Sequence, residues 1–184
     1  MRNRYGMFFA NLSALCALAL ALAIPAVRAA RTAQQKMDYL TDSEADKIRD
    51  ANNPSDRIKL YVAFAEDRLK KFQYELSRAT PDNHRGDILN GLMNAFSGCM
   101  DDAADQIDDA KEKQVNIHES LKLMESKGKD FLATLQKIDE AAGPSFDDYK
   151  DTLEDAIQGT KDAVSEAQQA QKEMLPAPIR RKPN

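Results

Sequence analysis

The sequence predicts an all-α fold of long antiparallel helices, zipped as an elongated coiled-coil-like hairpin or bundle, and three observations carry that expectation. From Ala103 to Ala142 apolar side chains recur in alternating steps of four and three: Ala103, Ile107, Ala110, Ile117, Leu121, Met124, Phe131, Leu135, Ile138 and Ala142, with Gln114 and Gly128 as the two interruptions. Two further stretches, Pro54 to about Ala79 and Phe146 to Met174, keep the same period. Dense helix breakers, Thr80-Pro81-Asp82-Asn83 and Gly143-Pro144-Ser145, separate the three. A stripe of this period places its apolar groups on one helix face, which must bury itself against another helix. A chain committed to such stripes is expected to have little left over for a pocket.

The first 29 residues read as a cleaved export signal. Arg2 and Arg4 give a basic start, Met7 to Ile24 is apolar, Pro25 breaks it, and Val27-Arg28-Ala29 sets up a cut after Ala29. An uncleaved anchor is the competing reading, because about eighteen apolar residues lie at the lower limit of a membrane span. Residues 30–52 form a leader with a short helix. It is loose to about Leu40, and then Thr41-Asp42-Ser43-Glu44 has the spacing of a capping box for a helix reaching about Ala51. Asn53 as N-cap and Pro54 at the first helical position start the next helix and open the 53–175 bundle domain.

The breakers at 80–83 make a short connection, so the following helix, beginning near His84, runs back antiparallel. After Ala110 two routes are open. Asn116 with Glu119 could cap a new helix and give an up-down four-helix bundle. The favoured route is one unbroken helix to Ala142, because the stripe keeps phase across 111–117 and neither Gly nor Pro lies between Gly98 and Gly128. Gly143 and Pro144 end that segment, and Ser145 with Asp147 and Asp148 is expected to cap the last helix. Residues 176–184, Pro-Ala-Pro-Ile-Arg-Arg-Lys-Pro-Asn, form a basic, proline-rich tail expected to be disordered, with weak contact to an anionic envelope surface as its sharper role.

Charge excludes one class of partner. Removing the signal takes three of the 26 basic residues (Arg2, Arg4, Arg28) and none of the 30 acidic ones, leaving 23 against 30, a net charge of −7. Such a chain has no general attraction for nucleic acid. Of the two cysteines only Cys99 survives cleavage, so no internal disulfide forms. A small buried hydrophobe is the expected role for Cys99, and an intermolecular disulfide is the alternative.

No catalytic motif stands out. His84 and His118 are the only histidines, and the sequence lacks Gly-x-Ser-x-Gly, His-Glu-x-x-His and a phosphate-binding glycine loop. No catalytic residue, metal ligand or cofactor is therefore assigned. The ligand hypothesis kept in view is a haem or metal held near His118, with Met93, Met100 and Met124 at or near core phase. The acidic run Asp101, Asp102, Asp105, Asp108, Asp109 and Glu112 reads as a solvated face. The hairpin register sets Asp105 opposite Arg57 and Lys59.

Two stretches together carry a resemblance: Tyr39-Leu-Thr-Asp-Ser-Glu-Ala-Asp-Lys-Ile-Arg-Asp-Ala51 and Asp56-Arg-Ile-Lys-Leu-Tyr-Val-Ala-Phe-Ala-Glu-Asp-Arg-Leu69. The chain resembles there a group of exported, all-helical proteins of acidobacterial-type soil bacteria that have no assigned activity. Leu40-Thr41-Asp42-Ser43-Glu44 is also similar to the Leu-Thr-x-x-Gln repeats of periplasmic helical chaperones. The expected function is an exported, non-enzymatic interaction or structural protein of the envelope, binding a partner protein or itself through helix faces. A periplasmic haem or metal carrier and a chaperone-like holdase are the alternatives. The residues expected to hold the fold are Ile58, Leu69, Phe72, Phe96, Ile107, Ile117, Leu121, Phe131 and Leu135.

Overall fold

The computed structural model describes residues 39–79, 83–141, 143 and 145–174. The signal, the basic tail and the 80–82 part of the first connection lie outside them. Five α-helices occur among the described residues: α1 (Asp42–Asp50), α2 (Pro54–Ser77), α3 (Arg85–Glu112), α4 (His118–Glu140) and α5 (Lys150–Glu173), with a single 3-10 turn at Phe146–Asp148.

The caps explain where the first two helices begin. The Glu44 N–H donates to Thr41 Oγ1 at 3.3 Å, while Glu44 Oε2 accepts from the Thr41 N–H at 2.8 Å, the reciprocal capping box that the spacing predicts. Asn53 Oδ1 accepts from the Asp56 N–H at 2.9 Å, with Pro54 in the first turn. The last helix begins later than expected. Ser145 makes no side-chain cap, residues 146–148 wind as a 3-10 turn, and α5 starts at Lys150 after Tyr149.

The favoured continuous helix through Ala142 is not formed: α3 stops at Glu112 and α4 restarts at His118, so the four-helix alternative holds. The stop is a Schellman closure. The Val115 N–H donates to the Ala110 carbonyl at 2.9 Å and the Gln114 N–H to the Lys111 carbonyl at 3.2 Å, satisfying carbonyls that the helix end leaves open. Gln114 sits in the left-handed region, φ 54°, a position where Gly is usual. Asn116 Oδ1 then accepts from the His118 N–H at 3.0 Å and opens α4.

The helices alternate in direction but are not wound in simple sequence. The packed neighbours are α2 with α3 and α4, and α5 with α3 and α4; α2 faces α5, and α3 faces α4, across the diagonals. Ser55 and Lys127–Glu66 contacts set α2 and α4 parallel: Ser55 Oγ meets Ser120 Oγ at 3.2 Å, and Glu66 accepts from Lys127 at 3.0 Å. Asn90 against Thr152 and Gly159 against Asp101 do the same for α3 and α5. The 113–117 link therefore crosses a diagonal of the bundle.

The diagonals are closed by aromatic side chains. Phe96 of α3 and Phe131 of α4 meet edge to face, centroids 5.6 Å apart, and Phe72 of α2 meets Tyr149 at 5.2 Å. All nine residues expected to hold the fold are buried, as are Met93, Met100, Met124 and Leu153. The α4 and α5 backbones approach closely where Gly128 faces Val164: a Cβ built on Gly128 would lie 2.3 Å from Val164 Cγ2.

Candidate functional site

Two places outside the apolar interior gather polar groups: a clasp that holds α1 on the bundle, and a pocket at the end of the bundle where α2 finishes and α3 begins.

The clasp starts at Tyr39, a residue the sequence reading leaves in a loose leader. Its hydroxyl reaches the Asp102 carboxylate and lies 3.0 Å from the Gly98 carbonyl, and its ring lies flat on α3 because Gly98 has no side chain. A Cβ there would come within 2.6 Å of the ring. Close by, Arg68 of α2 donates to Glu44 Oε2 at 2.5 Å, to Asp67 Oδ2 at 2.7 Å and to the Tyr39 carbonyl at 3.3 Å. The Arg68 and Glu44 side chains are only 7% and 12% exposed, so this is a largely desolvated pair. Burial pushes the Glu44 carboxyl up, but the hydrogen bonds from Arg68 and Thr41 prevail and hold it at about 2. Burial, with the bond to Asp102, pushes the Tyr39 hydroxyl up. Burial likewise takes the Tyr61 hydroxyl and the Cys99 thiol up to about 12. Cys99 is fully buried, so the small-hydrophobe reading describes its position. A thiol so placed is a poor nucleophile.

The pocket has a volume of about 470 Å³, which corrects the expectation that a chain of apolar stripes leaves little room for one. Its lining comes from the end of α2, the first residue of α3, the last turns of α4 and the residues before α5. Leu76, Ile138 and the Tyr149 side chain form apolar wall; Gln73, Arg85 and Lys137 bring polar groups to it. Arg85 Nη2 donates to the carbonyls of Glu75 (2.9 Å) and Leu76 (2.6 Å), closing the C-terminal end of α2. Its Nε is buried without a partner. Lys137 has no acidic partner among the described residues. Burial raises the Tyr149 hydroxyl pKa against the opposing pull of Arg85, with Asp139 adding to the rise.

The residues singled out for a haem or metal do not converge. His118 is exposed at the start of α4, whereas its neighbour Ile117 takes the core position, and Met93, Met100 and Met124 are enclosed in hydrocarbon. His84 is 79% exposed beside Asp87. In the acidic run, Asp108 and Asp109 pair with Lys111 and Lys113 of their own helix, and Lys111 also reaches Glu173 of α5. Lys59 pairs with Asp56, and Arg57 Nε donates to the Ala51 carbonyl. Asp108 and Asp105 act on Glu166 of α5, whose carboxyl is raised chiefly by burial. Neither Tyr39 nor Arg85 was a candidate from the sequence: their partners lie on other segments, and no local spacing encodes them.

No protein-family model, no curated protein and no solved structure matches this chain.

Proposed function

We propose that the chain is an exported, non-enzymatic helical module of the bacterial envelope that works by binding, through a polar and charged surface. The observation that carries this reading is the fate of the apolar stripes. They are consumed between the helices, and among the described residues Tyr74, 69% exposed, is the one large hydrophobic side chain left on the surface. A holdase recognises clients through exposed apolar surface, and a haem carrier through an inward axial ligand; the polar exterior and the outward His118 favour neither.

Export rests on Arg2, Arg4, the apolar Met7–Ile24 stretch and the Val27-Arg28-Ala29 cut site. Among the described residues no helix is long and apolar enough to cross a membrane. The buried titratable groups support the non-enzymatic part. Arg68, Glu44, Tyr39 and Asp102 are committed to one another in holding α1, and the buried thiol is kept protonated.

The test is the protein purified from its own host. The expected product begins at Ala30, fractionates outside the cytoplasm, and shows neither a Soret band nor stoichiometric metal. A Soret band, bound metal in equal proportion, or a full-length chain retained in the cytoplasm contradicts the proposal.

A further inference from the structure

We propose that the pocket lined by Leu76 of α2, Arg85 of α3, Lys137 and Ile138 of α4, and Tyr149 is a binding site for a small organic carboxylate with an apolar body. The inference goes beyond the proposed function, since it stands on the pocket alone.

Three observations converge. First, the volume of about 470 Å³ lies within the range of small-molecule sites, roughly 300–1,000 Å³, and the site sits at an interhelical end where bundles commonly place ligands. Second, two cations line it without a carboxylate of their own among the described residues: Arg85, which bonds only to the Glu75 and Leu76 carbonyls, and Lys137. What sets these two apart is their place: both meet at one pocket, where a single anion can face the pair. Third, Arg85 is held rigidly. Its contacts to the Glu75 and Leu76 carbonyls fix the guanidinium, so little side-chain freedom is lost when an anion meets it.

The walls decide what kind of anion fits. Leu76, Ile138, Ala141 and the Tyr149 ring give the cavity an apolar wall in addition to its cations. A fully hydrated inorganic anion gains nothing from that side, whereas an aliphatic or aromatic acid buries its body there while its carboxylate meets Arg85 and Lys137.

The experiment is a titration of the mature chain with octanoate, benzoate and inorganic phosphate, followed by amide and Tyr149 ring chemical shifts. The expected result is saturable binding of an organic acid, with shifts confined to Gln73, Leu76, Arg85, Lys137, Ile138 and Tyr149, and phosphate at least about tenfold weaker. Lys137→Gln, a surface change that leaves the core alone, is expected to weaken the acid about tenfold. Ile138→Trp, which fills the cavity, is expected to abolish it. Absence of saturation by both acids, phosphate binding as tight as either, or affinity unmoved by both substitutions overturns the proposal. Export and the absence of a Soret band would be untouched by that outcome, so the two readings fail separately.

Discussion

The interior of the four-helix bundle and the clasp that holds α1 are stabilised by opposite means. Between α2 and α5 the contacts are apolar and redundant: Phe96 on Phe131, Phe72 on Tyr149, and Leu, Ile and Met side chains around them, each contributing about 1.5–3 kcal/mol by leaving water. α1 has no buried residue of its own. It is held by one desolvated ion pair, one tyrosine hydroxyl and the flat fit of a ring on Gly98. Bringing Arg68 and Glu44 together out of water costs nearly what their attraction returns, so the clasp contributes position more than stability. Oil sets the register of the bundle, and charge sets where the leader lies.

The largest expected effect is in the interior. Phe131→Ala removes half of a central aromatic pair and is expected to cost about 3–5 kcal/mol, read by denaturant unfolding. A loss under about 0.5 kcal/mol would mean that this face is not core. Gly128→Ala comes next, at about 1–3 kcal/mol, because the added methyl meets Val164 Cγ2 and α4 must retreat from α5.

Acid sharpens the comparison from the other side. The Glu44 carboxyl is depressed to about 2 from an ordinary 4.5, so its stabilising contribution is complete above the ordinary value and is lost as pH falls through the folded one. Between pH 4.5 and about 2 the amides of α1 are expected to shift and broaden while the Phe96 and Phe131 ring resonances keep their positions. Glu125 is also held at about 2, chiefly by Lys129 and then by Gln171 and Gln168, but it sits half-buried at the α4–α5 rim and its loss is expected to move only that rim. The smallest effect is a gain. Gln114→Gly relieves the left-handed residue that ends α3 and is expected to add about 0.5–1 kcal/mol, seen as a higher denaturant midpoint.

The same contrast explains what could be read from the sequence. The apolar period located every core residue singled out, and the capping box at Thr41 and the Asn53-Pro54 start announced themselves within four residues. The break at 113–117 was hidden, because a Gln occupies the position where Gly would have marked it and the stripe stays in phase through the link: Ala110 and Ile117 are both buried on either side. The clasp was hidden for another reason. Tyr39 and Gly98 are 59 residues apart and Arg68 and Glu44 are 24 apart, so only the folded bundle brings them together. The pocket likewise draws on residues from three helices and from Gly143, Ser145 and Tyr149, which a periodic pattern does not bring together.

The bundle interior stands without the clasp. Amide hydrogen exchange on Gly98→Ala is the direct test, since the atoms nearest the new methyl all belong to the Tyr39 ring, which it displaces. Loss of protection confined to α1, with α2 to α5 exchanging as in the parent chain, is the predicted result. Protection lost throughout the bundle, or α1 protected as before, contradicts it.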